Sequence, residues 1–317
     1  MDRLGSKPSM GNSSTSGIAI GVDIGGTNLK AGLVDQEGEV LSRLEQAVPV
    51  EKTPALVVKT IVEMVQKLID DPGLSKNLLG VGLGVPGGID VGKGLVTESP
   101  HFPRWKNVSL KSELTKFLNQ KIILDNDSNC FALGELHFGL GKNCENFLAL
   151  TLGTGLGGAL VINKSLWHGT SGMAGEFGHM GIDPEGPDCP CGGKGCLETF
   201  SSGSALIRLA EKEMKKQLTG EILEKEAENG NQKAKEIFSK FGSTLGYGLA
   251  NLVNIMGITN IIIGGKVTRS WEYFYPAILK AISNQCFQKV AEKVNIRPSS
   301  LEDNAGIVGA ASLVLYN

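Results

Sequence analysis

The stretch that decides the fold is GIAIGVDIGGTNLKAGLVDQEGEVLSRLEQAV, residues 17–48. Its apolar runs alternate with short turns containing glycine, and this pattern predicts three consecutive β-strands joined by the turns GGTN and QEG. A second stretch, TLGTGLGGALV at 151–161, repeats the strand, Gly-Thr turn and returning strand of DIGGTNLKAGLV at 23–34. Two copies of one hairpin in the same chain predict a duplicated, two-domain architecture.

The segments around these hairpins alternate between helical and strand patterns. Residues 53–70 have a helical period, with Thr53 as an N-cap and Pro54 behind it. The predicted inner stripe of this helix takes one residue in four: Leu56, Thr60, Met64 and Leu68. Near the end of the chain, ITNIIIGGKVT predicts a buried strand and GIVGAASLVL a terminal helix. Strands alternating with helices predict an α/β protein.

The composition excludes several functional classes. The chain has 317 residues, a net charge of −2 and 41% hydrophobic residues, so it can bury a sizeable core and has no bulk attraction to nucleic acid or anionic membrane. We find no apolar run of membrane-spanning length. Residues 1–17 are polar and rich in Gly and Ser without an apolar core, which predicts a disordered tail rather than a secretory signal. We therefore expect a cytoplasmic protein.

The glycine turns are candidate phosphate sites. Phosphates are bound by backbone N–H groups at close range, and glycine lets the chain come that near. Asp23, just before the first turn, could hold Mg²⁺ through water. A single turn of this kind is more often an ordinary tight hairpin, but two related turns and a third glycine pair after a late strand favour a nucleotide. These candidates are Gly25-Gly26-Thr27, Gly153-Thr154-Gly155 and Gly264-Gly265.

The motif LDNDSN at 124–129 places Asp125 and Asp127 at a strand end, where ligands bind in α/β sheets. A carboxylate there could take the proton from an attacking hydroxyl. Asp and Asn are equally typical as the N-cap of the following helix, and the spacing alone does not separate the two roles.

The segment GEFGHMGIDPEGPDCPCGGKGCLE, residues 175–198, has the spacing of a metal site. Three thiolates and one imidazole would fill a tetrahedral zinc and leave no open position, as in structural zinc sites. The alternative is a loop of reduced cysteines. The four candidate ligands are His179, Cys189, Cys191 and Cys196. Glu176 and Glu198 flank the site and could accept hydrogen bonds from sugar hydroxyls. A single glutamate of this kind is more often a solvated surface charge, and it is the link to the cysteine segment that favours a binding role.

From about residue 18 to its C-terminus the sequence resembles the ROK family of sugar kinases and repressors, and within that family it looks most like bacterial glucokinases. DIGGTNLKAGLVD and TLGTGLGGALV match the two phosphate motifs, and GVPGGID matches the sugar-side loop. DNDSNCFALGE matches the catalytic loop, with Ser128 where alanine is usual. HGTSGMAGEFGHM followed by CPCGGKGCLE matches the family signature and its zinc loop. The late glycine motif, commonly G-G-G, ends here in Lys266.

The resemblance implies an α/β, actin/hexokinase-like (ribonuclease H-like) duplicated two-domain ATPase fold with an active-site cleft between the domains. The expected domains are a smaller one at 18–123, rejoined by a C-terminal helix at 304–317, and a larger one at 124–303 that carries the zinc loop. Members of the family are commonly dimers, so we expect a homodimer that binds neither nucleic acid nor membrane.

The resemblance also assigns roles, with Asp127 as the general base. The implied sugar-binding residues are Gly87, Gly88, Asn126, Asp127, Glu176, His179 and Glu198. The implied nucleotide-binding residues are Asp23, Gly25, Gly26, Thr27, Asn28, Lys30, Gly153, Thr154, Gly155, Gly264 and Gly265. The implied zinc ligands are His179, Cys189, Cys191 and Cys196. The expected cofactors are ATP, Mg²⁺ and a structural Zn²⁺.

The predicted reaction is ATP-dependent phosphorylation of the 6-hydroxyl of glucose. The nearest alternatives are the same reaction on another hexose, such as N-acetylmannosamine or fructose, and the use of polyphosphate as the donor. A sugar-responsive repressor is disfavoured because 17 residues before the first strand are too few for a helix-turn-helix. A zinc hydrolase is disfavoured by the closed ligand set.

Overall fold

The computed structural model describes residues 17–71 and 77–316. The strands are β1 (Ile18–Ile24), β2 (Asn28–Val34), β3 (Val40–Ala47), β4 (Leu78–Val85), β5 (Gly88–Asp90), β6 (Leu95–Glu98), β7 (Lys106–Val108), β8 (Ile122–Asn126), β9 (Phe147–Leu152), β10 (Leu156–Ile162), β11 (Ser165–Leu166), β12 (Asn260–Gly264) and β13 (Asn295–Pro298). The helices are α1 (Pro54–Ile69), α2 (Leu110–Thr115), α3 (Asp127–His137), α4 (Glu198–Ser201), α5 (Gly203–Met214), α6 (Gly220–Glu228), α7 (Gln232–Met256), α8 (Trp271–Gln285), α9 (Gln288–Ala291) and α10 (Ala305–Leu315). The predicted disordered tail lies outside the described residues, except for Gly17.

Two large sheets share one topology. The first has the order β3-β2-β1-β4-β8 and the second β11-β10-β9-β12-β13. In each, a central strand pairs antiparallel with its hairpin partner and parallel with the strand on its other side. The duplicated hairpin read from the sequence is therefore the centre of a duplicated sheet. A small sheet of β5, β6 and β7 follows β4 and carries the GVPGGID loop.

Each of the two helices that follow the large sheets packs against the other sheet. Helix α3 leaves the end of β8 in the first sheet and packs against β9 and β10 of the second. Helix α10 leaves the second sheet and packs against β1 and β4 of the first, and the two helices also pack on each other. Glycines in the strands allow this approach, because a Cβ at Gly21 would lie 1.9 Å from the Ile307 carbonyl oxygen, and one at Gly82 would lie 1.9 Å from that of Ala310.

The positions of β8 and α10 concern the expected domain boundaries. Strand β8 runs past the expected boundary at 123/124 to Asn126 and belongs to the first sheet. We therefore propose that the change of domain lies at the end of β8. The position of α10 on β1 and β4 supports the proposal that the C-terminal helix rejoins the first domain.

Helix α1 shows where the sequence pattern was only partly right. The Thr53 side chain accepts a hydrogen bond from the Leu56 backbone N–H, and Pro54 opens the helix, as predicted. The buried face, however, is formed by Val57, Val58, Ile61, Met64, Val65 and Leu68. Leu56 is 39% exposed, because a strict four-residue repeat drifts around a helix that has 3.6 residues per turn.

Each large sheet has its own apolar core, and helix α7 forms much of the second. Within the described residues we find no helix that combines the length and the apolar character needed to cross a bilayer.

Candidate active site

A cavity of about 290 Å³ lies between the two glycine turns and the end of β8; we name it the cleft cavity. The predicted site residues that line it are Gly25, Gly26, Gly87, Asn126, Asp127, Gly153, Thr154, Gly155, Glu176, His179, Glu198 and Gly265. Residues separated by up to 240 positions in the chain thus converge on one space. The motifs predicted to serve phosphate binding, sugar binding and proton transfer therefore lie at a single site.

The other predicted non-cysteine residues lie close by but outside this lining. Asp23 is partly buried in β1 and pairs across the hairpin with Lys30. The Asn28 side chain donates to Glu45 at 2.8 Å, so in this structure it points along the sheet. The others are Thr27, Gly88 and Gly264.

The end of β8 fixes the catalytic-loop side chains. Asn126 is the N-cap of α3, because its Oδ1 accepts hydrogen bonds from the backbone N–H groups of Ser128 at 2.8 Å and Asn129 at 3.3 Å. Its Nδ2 donates to the Gly87 carbonyl at 3.1 Å, which ties the cap to the sugar-side loop. The capping role left open for the two aspartates therefore belongs to Asn126, and Asp127 is the first residue of the helix.

The surroundings of Asp127 make its carboxylate a stronger base than that of an ordinary aspartate. Burial, and then the nearby charge of Glu176, raise its pKa to about 6, although the backbone N–H of Ser128 opposes the shift. Asp23 shows the same behaviour, since burial and the charge of Asp127 raise its pKa to about 6. Above that pH two repelling carboxylates occupy this end of the cleft, and such a pair suits a bound divalent cation.

Both glycine turns line the cleft cavity. In the first turn the Gly25 N–H donates to the Asn28 carbonyl at 3.0 Å, and in the second the Gly153 N–H donates to that of Gly155 at 3.0 Å. A Cβ added at Gly153 would meet no atom within 4 Å, so its Cα faces open space. The second turn thus leaves room for a ligand to approach its backbone.

A second cavity of about 500 Å³ adjoins the cleft cavity and shares Gly153 and Thr154 with it. Its size is that of a small-molecule site. The sequence reasoning missed most of its lining, which comes from α5, α6, α7 and the segment after β12. Among these residues are Arg208, Glu211, Glu221, Lys266 and Arg269. They belong to no short motif, so no sequence signal points to them apart from Lys266, which follows the late glycine pair.

The four candidate metal ligands come together, with their donor atoms all within 4.8 Å of one another. His179 Nδ1 lies 3.6 Å from Cys189 Sγ, and Cys191 Sγ lies 3.7 Å from Cys196 Sγ. Around a tetrahedral zinc with Zn–S distances of about 2.3 Å, adjacent sulfurs are about 3.8 Å apart. The donor set and its spacing therefore fit zinc. The Gly193 N–H also points at Cys191 Sγ, at 3.4 Å.

Both flanking glutamates lie beside the cleft cavity. His179 turns Nδ1 toward the cysteines, and its Nε2 faces the cavity side, 3.8 Å from Glu176 Oε2. Glu198, two residues after Cys196, accepts a hydrogen bond from the Leu156 N–H at 2.7 Å. The cysteine loop is thereby connected to the second glycine hairpin.

His101 is a cavity residue that the sequence reasoning missed. It lies in the loop after β6, and its ring faces Gly26, where an added Cβ would be 3.2 Å away. Burial, followed by the charge of Lys52, lowers its pKa. The segment PHFPRW around His101 matches no motif, so only the tertiary structure shows that this histidine lines the cavity.

A family model described as the ROK family matches residues 19–317, almost the whole chain. The chain belongs to the ROK family. This match confirms the family resemblance that the sequence predicted.

The similar proteins within the family include kinases and repressors. A glucokinase from Thermotoga maritima is 34% identical over 309 residues, which cover 93% of this chain and 96% of that protein. The xylose repressor of Bacillus subtilis is 30% identical, with 94% of this chain and 77% of the repressor covered.

Among solved structures, a ROK family glucokinase from Streptomyces griseus, in complex with glucose and AMPPNP, is 31% identical. It superposes with a TM-score of 0.85 over 95% of this chain and 100% of that chain. This match confirms the predicted actin/hexokinase-like two-domain fold.

Proposed function

We propose that this ROK protein transfers the γ-phosphoryl group of ATP to the 6-hydroxyl of glucose. One observation carries the proposal: Asp127, whose pKa is raised to about 6, lies in the same cavity as both glycine turns and the carboxylates of Glu176 and Glu198. The similarity to glucokinases, one of them solved with glucose and an ATP analogue, supports both substrates.

The proposed proton acceptor is the Asp127 carboxylate. As the 6-oxygen attacks the γ-phosphorus, a new O–P bond forms, the bond from phosphorus to the β,γ-bridging oxygen breaks, and the hydroxyl proton passes to Asp127. Asn126 would bind the sugar from its capped position, and Glu176, Glu198 and His179 Nε2 would bind further hydroxyls. Glu198 would act while held by the Leu156 N–H.

The proposed phosphate sites are the backbones of the two glycine turns, with the nucleoside in the adjoining cavity of about 500 Å³. Mg²⁺, when bound, would neutralise charge that develops on the phosphates. Asp23 would hold it through water. The residues of the cleft would then contribute mainly by positioning the sugar oxygen in line with the phosphorus.

The proposed metal role is structural. His179, Cys189, Cys191 and Cys196 would fill all four zinc positions, and the metal would supply a rigid support for the loop. Its effect on sugar recognition would act through His179, because metal at Nδ1 fixes the ring and the tautomer and so presents Nε2–H to the cavity.

A substrate panel tests the proposal. ADP release is measured with glucose, N-acetylmannosamine, fructose and xylose, and the product is examined by ³¹P NMR for a 6-phosphate; polyphosphate replaces ATP in a parallel series. Glucose should give the highest kcat/KM with ATP. If another hexose gives the highest kcat/KM, that hexose replaces glucose in the proposal. If the protein binds a sugar but releases ADP with none of the four, a regulator is favoured.

The homodimer and the cytoplasmic location stay predictions from the sequence. Size-exclusion chromatography with light scattering measures the first, and a dimer should have twice the 33.5 kDa mass of the chain.

A further inference from the structure

The mechanism above leaves the buried carboxylate of Asp125 unused. Asp125 is only 2% exposed and is not among the residues that line the cleft cavity. Its Oδ1 accepts hydrogen bonds from the Asn126 N–H at 2.7 Å and from Asn129 Nδ2 at 2.8 Å. Its Oδ2 lies 2.7 Å from His168 Nε2. Burying a carboxylate costs free energy unless it is paired. Two of the described partners of Asp125 lie at the catalytic strand end, and the third is His168.

His168 belongs to a loop with few other anchors: the Trp167 N–H donates to the Leu160 carbonyl at 2.9 Å, and Ala174 packs on the core of the second sheet. Residues 167–174 contain no buried side chain, and three glycines there and at its end, Gly169, Gly172 and Gly175, have positive φ. The His168 carbonyl accepts a hydrogen bond from the Ala174 N–H at 3.1 Å, which closes the loop on itself. A loop of this composition loses much conformational entropy on ordering, so a strong anchor at His168 matters.

The same loop meets both parts of the proposed sugar site. Met173 lies over the sugar-side loop, with its Sδ 3.3 Å from the position that a Cβ at Gly88 would occupy. Immediately after the loop come Gly175 and then Glu176, which lines the cleft cavity. Any shift of residues 167–175 would therefore move Glu176 relative to Asn126 and Asp127.

We propose that His168 and Asp125 form a latch that positions the 167–175 loop, and with it Glu176, against the catalytic strand end. The latch joins the two halves of the fold, because Asp125 lies in β8 of the first sheet and His168 follows β11 of the second. His168 and Asp125 are positioning residues for the sugar and do not touch it. The inference rests on the proposed kinase function for its kinetic test, but the loop anchoring can be measured without catalysis.

The hydrogen bond to Asp125 raises the pKa of His168, so the charged form is favoured. Hydrogen bonds to charged groups are stronger than those between neutral ones. This explains why a polar bond near the surface can hold a glycine-rich loop that packs few apolar atoms.

The test compares His168→Ala with His168→Gln in the full chain. Glutamine can place an N–H donor near the position of Nε2, whereas alanine leaves Asp125 without this partner. We expect His168→Ala to raise the sugar KM by roughly tenfold or more, with the KM for ATP changed by less than about twofold. His168→Gln should restore the sugar KM to within about threefold of the wild type.

A matched histidine serves as the control. His137, in α3, stacks on Tyr316 with ring centroids 3.8 Å apart, far from the sugar site, and His137→Ala should leave the sugar KM unchanged. Equal changes of both KM values in His168→Ala, or no rescue by glutamine, would overturn the latch.

Hydrogen–deuterium exchange separates the latch from the proposed function. Amides of residues 169–176 should exchange faster in His168→Ala than in the wild type and should regain protection in His168→Gln. If the wild type phosphorylates no sugar, the kinase proposal fails while this exchange pattern still supports the latch. Unchanged exchange in His168→Ala overturns the latch whatever the activity.

Discussion

Replacing Asp127 with asparagine should damage catalysis and stabilise the fold. Asparagine keeps the size of the side chain and an oxygen that can accept from the Ser128 N–H, which lies 2.9 Å from Asp127 Oδ1. It cannot take a proton from the sugar hydroxyl. We expect kcat to fall by roughly two or more orders of magnitude while sugar affinity is largely kept.

The gain in stability follows from the pKa. Folding raises the pKa of Asp127 from 3.8 to about 6, so the folded state binds this proton more tightly than the unfolded state does. Wild-type stability is therefore lost as pH rises from about 4 to about 6, and at pH 7.5 the cost is on the order of 2–3 kcal/mol. Asp127→Asn removes this cost, and it also removes the charge that raises the pKa of Asp23.

The assay is thermal or urea unfolding of both proteins at pH 7.5 and at pH 4.5, beside coupled kinetics. At pH 7.5 the variant should be more stable by several degrees in Tm, and most of this difference should vanish at pH 4.5. In the wild type, kcat/KM should fall as pH drops below about 6, because the base becomes protonated.

Asp70, exposed at the end of α1, provides the matched control, and Asp70→Asn should change neither activity nor stability appreciably. Near-normal turnover by Asp127→Asn would refute its assignment as the base. A variant less stable than the wild type at pH 7.5 would refute the electrostatic argument.

Three further changes probe other parts of the site. Gly153→Ala puts a methyl group into open space at the second turn and should raise the KM for ATP by roughly tenfold, with the sugar KM nearly unchanged, as kinetics with each substrate varied will measure. Cys191→Ala should reduce zinc, measured by elemental analysis, from about one per chain toward zero and raise the sugar KM more than the KM for ATP. Ser128→Ala removes a hydroxyl hydrogen bond but restores the residue usual in the family, so kcat should stay within about threefold and unfolding should change by about 1 kcal/mol or less.

The structure also changes which substitutions are informative. Gly155→Val, at a residue predicted to bind phosphate, would place its Cβ 2.4 Å from Glu198 Oε2 and so would disturb the sugar side as well. Asp125→Asn would not serve as a mild control for Asp127→Asn, because it alters a buried residue that holds three hydrogen bonds. In both cases, contacts with residues distant in the chain determine what the substitution would disturb.

The sequence by itself determined the features that depend on near neighbours in the chain. The paired hairpins, the cap of α1 and the cluster of His179 with three cysteines follow from turn chemistry, helix capping and ligand spacing, all of which act over a few residues. The sequence left open which Asp or Asn of LDNDSN caps α3, and only the tertiary structure showed that Asn126 does.

Tertiary structure decided what depends on contacts between distant segments. The exchange of α3 and α10 between the sheets, the lining of the larger cavity and the pairing of Asp125 with His168 involve residues tens to hundreds of positions apart, and no local pattern encodes such distances. The same holds for the pKa of Asp127, because its largest cause is burial and burial is set by the packing of both sheets around the cleft. Local chemistry thus specified the parts of this site, and long-range packing gave them their geometry and their charge.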